Sequence, residues 1–151
     1  MKFCEKYCGK EYIESDDHRS SVVAQDKRGK RKWIGRNLDK KRVVKYRVDD
    51  GIIKSKKECK CDYAVCVEDN DVYLIELKGA DYNHALQQVL STIDSLVLRP
   101  QIDVRVVNGR IVLSRGRNPN VRYTDEVKLI KKLKALGGSL KSGENVIEEN
   151  I

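Results

Sequence analysis

Three ionisable residues frame the most apolar part of the chain. Asp62 stands at the start of the stretch CDYAVCVEDNDVYLIELKG (residues 61–79), and Glu76 and Lys78 stand near its end. Two carboxylates that converge to about 5 Å cannot both stay ionised and dry without a cation. Mg²⁺ removes this repulsion and keeps water ligands for a phosphate, while a neighbouring lysine offsets developing charge. These residue types therefore suit phosphodiester hydrolysis.

The two halves of this stretch are predicted to pair as a β-hairpin, which decides whether the three side chains meet. Residues 61–67 and 72–78 are β-rich runs on either side of the polar sequence EDND. Alternate residues of a strand share a face, and Asp62, Glu76 and Lys78 are all even-numbered. A loop with an odd number of residues puts all three on one face, whereas an even loop separates the carboxylates. We expect the odd loop, with the two carboxylates within about 6 Å.

The elements around the hairpin follow from the hydrophobic periodicity. Residues 43–48 alternate as a strand and end at the turn signal Asp49-Asp50-Gly51. Between Asp81 and Leu98 the period is helical, with an apolar stripe of Leu86, Val89, Leu90, Ile93, Leu96 and Val97. Residues 104–107 and 111–113 are strand-like around Asn108-Gly109, and they predict either a tight hairpin or one bulged strand.

A second helix is predicted nearer the C-terminus. It begins with Thr124 as its N-cap, extends to Leu136, turns Val127, Ile130 and Leu133 inward, and stops at Gly137-Gly138. A short last strand is predicted near residues 145–147. The chain is therefore expected to be one α/β domain over residues 1–151, with a central mixed β-sheet flanked by helices. Residues 1–42 are expected to be irregular, residues 43–114 to form the core, and residues 115–151 to hold a basic loop, the helix and the last strand.

At its charged residues the sequence resembles the PD-(D/E)xK nuclease superfamily, which includes restriction endonucleases and Holliday junction resolvases. The resemblance consists of Asp62, then thirteen residues, then Glu76-Leu77-Lys78, on a hairpin that a helix follows. It covers about residues 44–114, and Cys61 replaces the proline of the family name. The resemblance implies a restriction-endonuclease-like fold with an αβββαβ core. It also implies that Asp62 and Glu76 bind Mg²⁺ or Mn²⁺ and that Lys78 assists the attacking water.

Further residues enter the candidate site through the resemblance. Several branches of the superfamily use a glutamine on the helix after the motif, and of Gln87 and Gln88 we favour Gln88 as the catalytic residue. Many members also carry an N-terminal helical glutamate, for which Glu5, Glu11 and Glu14 stay open. Small nucleases of this kind often form homodimers to cut both strands, although the sequence identifies no interface.

The charge of the chain predicts a polyanionic partner. The net charge is +8 and the isoelectric point is about 9.2, which favours nucleic acid over an anionic membrane. The basic residues cluster around Trp33 and in the loop before the second helix. The residues predicted to contact phosphates are Lys30, Arg31, Lys32, Arg115, Arg117 and Arg122. The chain has no apolar run long enough to cross a membrane and no signal-peptide pattern at its start, so we expect a cytoplasmic protein.

Three functions are compatible with these observations. The first is a metal-dependent nuclease that hydrolyses phosphodiester bonds, with DNA favoured as substrate. The second is a catalytically inactive protein of the same fold that binds nucleic acid or another protein, and the third is a small basic RNA-binding protein. Four of the five cysteines, Cys4, Cys8, Cys59 and Cys61, also offer thiolates for a structural zinc, although their spacings are not the usual ones.

Simultaneous substitution of Arg115, Arg117 and Arg122 by alanine is predicted to weaken nucleic-acid binding and to flatten its salt dependence. The reason is that each lost phosphate contact removes about 0.9 from the slope of log K against log salt for a DNA duplex. Fluorescence anisotropy with a labelled duplex at several NaCl concentrations measures this slope. A slope equal to that of the wild type would leave these arginines without a role in binding.

Overall fold

The computed structural model describes residues 1–68, 70–78, 81–114 and 123–151. The strands are β1 Ile13–Asp17, β2 Ser21–Gln25, β3 Lys32–Arg36, β4 Val43–Arg47, β5 Tyr63–Val67, β6 Asp71–Lys78, β7 Val106–Leu113, β8 Leu140–Glu144 and β9 Val146–Asn150. The α-helices are α1 Phe3–Lys6, α2 Tyr82–Ile93 and α3 Tyr123–Ala135, and α2 continues into a π-helical segment, Asp94–Leu98.

The strands form two sheets. The larger sheet has the order β1-β4-β5-β6-β7-β8, in which the pairs from β1 to β6 are antiparallel and the pairs from β6 to β8 are parallel. The smaller sheet has the order β2-β3-β9, with β3 and β9 parallel. The predicted α/β fold with a mixed central sheet is confirmed.

The large sheet separates two hydrophobic cores. On one face, apolar residues from all three helices, among them Phe3, Leu86 and Leu129, pack against the strands. On the other face, the small sheet contributes Trp33, which is fully buried, and covers the apolar residues that point away from the helices. Both faces of β5 and β6 are therefore covered, which explains their nearly continuous apolar sequences.

The register of the β5–β6 hairpin matches the odd-loop prediction. Tyr63 lies opposite Ile75 and Val67 opposite Asp71, so that three residues separate the strands. The even-numbered residues of the hairpin, such as Leu74, face the helices, and the odd-numbered residues, such as Val65, face the small sheet. Asp62, Glu76 and Lys78 share the helix-facing parity of the hairpin.

The prediction for residues 1–42 is wrong, because this region holds α1, β1, β2 and β3. Its strands are polar because each buries at most one side: in β2, Val22 and Ala24 are buried, whereas Val23 and Gln25 are exposed. The C-terminal region holds two strands, β8 and β9, where the sequence predicted a single last strand near residues 145–147. Asn145, with a φ of 62°, is the link between β8 and β9, which belong to different sheets.

Residues 106–113 form one continuous strand, β7, so the turn or bulge predicted at Asn108-Gly109 is wrong. Gly109 serves close packing instead of a turn. A Cβ atom on Gly109 would lie 3.1 Å from Leu133 of α3 and 3.2 Å from Val89 of α2. The side-chain oxygen of Asn108 accepts a hydrogen bond of 3.1 Å from the backbone N–H of Ser139. Both residues therefore fit the interior of the sheet.

The start and inner face of the second helix differ from the prediction. The helix begins at Tyr123, so Thr124 lies inside it and is not the N-cap. Leu133 is buried as predicted, but Val127 and Ile130 are 47% and 42% exposed. Leu129 faces the core instead. It lies one helical turn from Leu133, and the two residues form the narrow apolar stripe by which α3 contacts the core. The predicted stop is correct, since Gly137 has a φ of 78°.

A buried ion pair ties the C-terminal strand to the large sheet. Arg110 of β7 is 3% exposed and binds both carboxylate oxygens of Glu149 of β9, at 2.7 and 3.0 Å. The indole N–H of Trp33 donates to the same carboxylate at 2.8 Å. Burial acts to raise the pKa of Glu149, but the hydrogen bonds from Arg110 and Trp33 lower it overall. The carboxylate of Glu149 is therefore ionised, and both of its oxygens accept hydrogen bonds.

Glu149→Gln is predicted to lower the free energy of unfolding by about 3 kcal/mol, because it leaves the Arg110 charge buried and uncompensated. The neighbouring exposed pair of Arg36 and Glu148 provides the control. Glu148→Gln should cost less than about 1 kcal/mol. Urea denaturation followed by circular dichroism measures both, and equal losses from the two variants would contradict a special role for the buried pair.

Candidate active site

Asp62 and Glu76 meet at the open end of the β5–β6 hairpin. Continuation of the register that pairs Tyr63 with Ile75 sets Asp62 opposite Glu76. Their carboxyl groups share a hydrogen bond, which keeps them within the separation expected from the sequence. The Oδ2 atom of Asp62 also accepts a hydrogen bond of 2.9 Å from the backbone N–H of Leu77. Backbone pairing thus fixes one carboxyl group directly against the other.

Burial makes this pair electrostatically costly. Glu76 is only 2% exposed, and burial, together with the charge of Asp62, raises its pKa to about 9. Burial also raises the pKa of Asp62, which is half-buried. The positive charge of Lys78 acts in the opposite direction on both carboxyl groups. At neutral pH and without a cation, the pair therefore retains a proton.

The pair suits a divalent cation with oxygen ligands. The Oε1 atom of Glu76 is buried and has no hydrogen-bond partner in the part of the chain that the structure describes. A cation at this oxygen would satisfy it and would remove the repulsion from Asp62. Within residues 1–68, 70–78, 81–114 and 123–151, no three side chains of the metal-binding types come together. Such a cation would thus have two protein carboxylates and water, which is common for Mg²⁺.

A cleft of about 320 Å³ opens beside Asp62. Its walls come from the tip of the β2–β3 hairpin, including Lys27, and from the turn after β4, including Asp49 and Asp50. Gly51 is required in that turn, because a Cβ atom there would lie 2.0 Å from the carbonyl oxygen of Arg47. The charge of Asp49 contributes to the raised pKa of Asp62. The turn therefore adds negative charge next to the carboxyl pair.

Gln88 lies on α2 in a second cavity, of about 260 Å³. Its side-chain amide donates a hydrogen bond of 3.1 Å to the carbonyl oxygen of Lys60, and its Oε1 atom is buried without a donor among the described residues. Gln87 is exposed. The structure thus distinguishes the two glutamines, but a catalytic role for Gln88 stays a prediction.

Two lysines of the same cavity were missed by sequence reasoning. Lys56 and Lys57 line it together with His84 and Gln88. In the sequence they belong to the run KSKKECK (residues 54–60), which has no periodicity and reads as a charged connector. The feature of the sequence that connects this run with the candidate site is its position shortly before Asp62.

The predicted phosphate-binding residues have different surroundings. Lys30 is exposed, Lys32 is half-buried, and Arg31 forms an ion pair with Asp26 at 2.8 Å. Trp33 is fully buried and serves the core. The three arginines of the basic loop, Arg115, Arg117 and Arg122, lie outside the described residues.

The zinc alternative finds no support in the arrangement of the cysteines. Cys4 lies next to Tyr46, whereas the backbone N–H of Cys61 donates to the hydroxyl oxygen of Thr92 on α2. None of the five cysteines, all of which are among the described residues, forms a disulfide, and no four of them gather there. Of the candidate N-terminal glutamates, Glu5 accepts a hydrogen bond from the backbone of Lys2, and Glu14 pairs with Lys45 at 3.1 Å.

Comparison of the chain with protein-family models, with curated proteins and with solved structures gives no significant match. No helix among the described residues has the length and apolar character needed to span a bilayer.

Glu76→Gln is predicted to stabilise the metal-free protein at alkaline pH. The pKa of Glu76 is raised in the folded state to about 9, from an ordinary value of 4.5. The folded state therefore holds a proton that the unfolded state has lost. Stability is greatest below the ordinary pKa, and it falls as the pH rises towards 9, by at most about 1.4 kcal/mol per pH unit.

Urea denaturation in EDTA at several pH values between 5 and about 9 tests this dependence. The advantage of Glu76→Gln over the wild type should grow with pH. Glu144→Gln, which changes an exposed glutamate of β8, is the control and should follow the wild type. A constant difference between Glu76→Gln and the wild type would show that Glu76 is ionised in the folded state at all these pH values.

Proposed function

We propose that this protein is a metal-dependent nuclease that hydrolyses phosphodiester bonds, with DNA as the favoured substrate. The observation that carries the proposal is the buried carboxyl pair of Asp62 and Glu76, in which a buried oxygen of Glu76 has no partner among the described residues. A purely structural carboxyl at this depth would be expected to have a cation or a full set of donors. Strongly perturbed carboxyl groups beside a cleft are typical of functional sites.

Each residue of the site has a distinct task in this proposal. Asp62 and Glu76 would hold Mg²⁺ or Mn²⁺, which when bound lowers the pKa of a water and polarises the phosphate. Asp62 is positioned by the backbone N–H of Leu77, which donates to its Oδ2 atom. Lys78 follows on the same face and would orient the attacking water or offset the charge that develops on the phosphate.

Nucleic acid is the favoured substrate because of the charge of the chain. A net charge of +8 attracts a polyanion and raises its local concentration near an acidic centre that would otherwise repel it. Lys27 at the cleft beside Asp62, and Lys56 and Lys57 at the neighbouring cavity, bring part of this charge to the site. The preference for DNA comes from the resemblance to the PD-(D/E)xK nucleases.

The proposal predicts nicking of supercoiled plasmid that requires Mg²⁺ or Mn²⁺ and falls by at least about 100-fold in Asp62→Asn and Glu76→Gln. Each variant removes a ligand without opening a cavity, and each should still bind DNA in EDTA. Glu144→Gln should cleave like the wild type. Cleavage by Glu76→Gln at the wild-type rate would exclude this residue from the chemistry.

Thermal melts supply a readout that does not depend on activity. Mg²⁺ or Mn²⁺ should raise the melting temperature of the wild type more than that of Glu76→Gln, because a ligand stabilises the state that binds it. Equal shifts in both proteins would overturn the metal site. Retained DNA binding without cleavage and without a metal response would instead identify a binding protein of the same fold.

A further inference from the structure

The cavity between the connector of residues 54–60 and α2 has a cationic rim. Lys56 and Lys57 are exposed and line this cavity of about 260 Å³, with His84 and Gln88 on the opposite wall. Asp49 lines both this cavity and the cleft beside Asp62. The two openings are thus neighbours, one on each side of Asp49.

The third lysine of the cavity uses its ammonium group for hydrogen bonds within the protein. Lys60 is 9% exposed, and its ammonium group donates to the carbonyl oxygens of Ser55 at 2.7 Å and Glu58 at 3.0 Å. Its own carbonyl oxygen accepts from the side chain of Gln88. These contacts fix the connector from its inner side. Lys60 and Gln88 are therefore positioning residues for Lys56 and Lys57.

The acidic residues of the cavity already have partners. The carboxylate of Glu58 accepts a hydrogen bond of 2.6 Å from the hydroxyl of Ser95 and lies 3.7 Å from Arg99. Asp49 lies 3.6 Å from the ammonium of Lys60. Lys56 and Lys57 form no ion pair with any described residue. The positive charge at the rim is therefore not neutralised from within the described chain.

We propose that this cavity is a phosphate-binding subsite, in which Lys56 and Lys57 contact backbone phosphates of the nucleic-acid strand that passes the Asp62–Glu76 pair. The inference rests on the proposed nuclease function for its choice of ligand. Two ammonium groups on a fixed loop suit phosphates, because lysine binds phosphate as a point charge without demanding one orientation. Contacts of this kind position the strand and do not read its sequence.

The test measures binding in EDTA, where cleavage does not occur, by anisotropy of a fluorescein-labelled DNA duplex at several NaCl concentrations. Lys56→Ala and Lys57→Ala should each make the slope of log K against log salt less steep by about 0.9, and the double variant by about 1.8. The charge-conserving Lys56→Arg/Lys57→Arg variant should keep the wild-type slope. Lys54→Ala is the matched control, because Lys54 belongs to the same connector but lines a different cavity, next to Pro100.

The outcomes separate the subsite from the nuclease. A change in slope for Lys54→Ala equal to that for Lys56→Ala or Lys57→Ala, or no change for any of them, would overturn the subsite. A wild-type protein that binds no DNA would overturn it as well. A wild-type protein that binds with the expected slopes but cleaves with neither Mg²⁺ nor Mn²⁺ would overturn the nuclease and leave the subsite standing.

Discussion

The register of the β5–β6 hairpin is the constraint on which the candidate site depends. Because three residues separate the strands, the even-numbered apolar side chains of the hairpin point towards the helices, and Asp62 stands opposite Glu76. A shift of one residue would move Asp62 to the face of the small sheet and would exchange the apolar residues of β5 between the two cores. The burial of Val65 and Val67 on one side and of Ala64 and Cys66 on the other therefore holds the carboxyl pair together.

The small sheet makes that register rigid, although it contributes no carboxyl group to the pair. It covers the second face of β5 and β6 through Trp33, whose indole N–H is bound by Glu149, and Glu149 is in turn held by Arg110 of the large sheet. This network joins strands from the two ends of the chain. An unfavourable group such as Glu76 persists in a fold only when its surroundings are determined by many other contacts.

The elements that could be predicted from sequence are those with a local period. The hairpin follows from two β-rich runs around a polar turn, and α2 with its apolar stripe follows from helical spacing. The shared face of Asp62 and Glu76 follows from their positions in the two runs once the loop has an odd number of residues. The small sheet could not be predicted, because β3 pairs with β9 from the opposite end of the chain and each strand buries only part of its surface. The turn or bulge predicted at Asn108-Gly109 was wrong for a related reason. The place of these two residues in the centre of the sheet depends on how closely α2 and α3 pack, and no local sequence pattern shows this packing.

The connector before Asp62 illustrates the same limit at the site. Its lysines look alike in sequence, yet Lys60 is buried and bound to backbone carbonyls, whereas Lys56 and Lys57 stay at the surface. The difference arises from the closure of the loop around one ammonium group, which satisfies carbonyl oxygens that no regular element would pair. That closure brings cationic charge close to the proposed site, whose own carboxyl groups would repel phosphate. An acidic centre for phosphate chemistry needs such a neighbour, since it must attract the same anion that its charge opposes until a cation is bound.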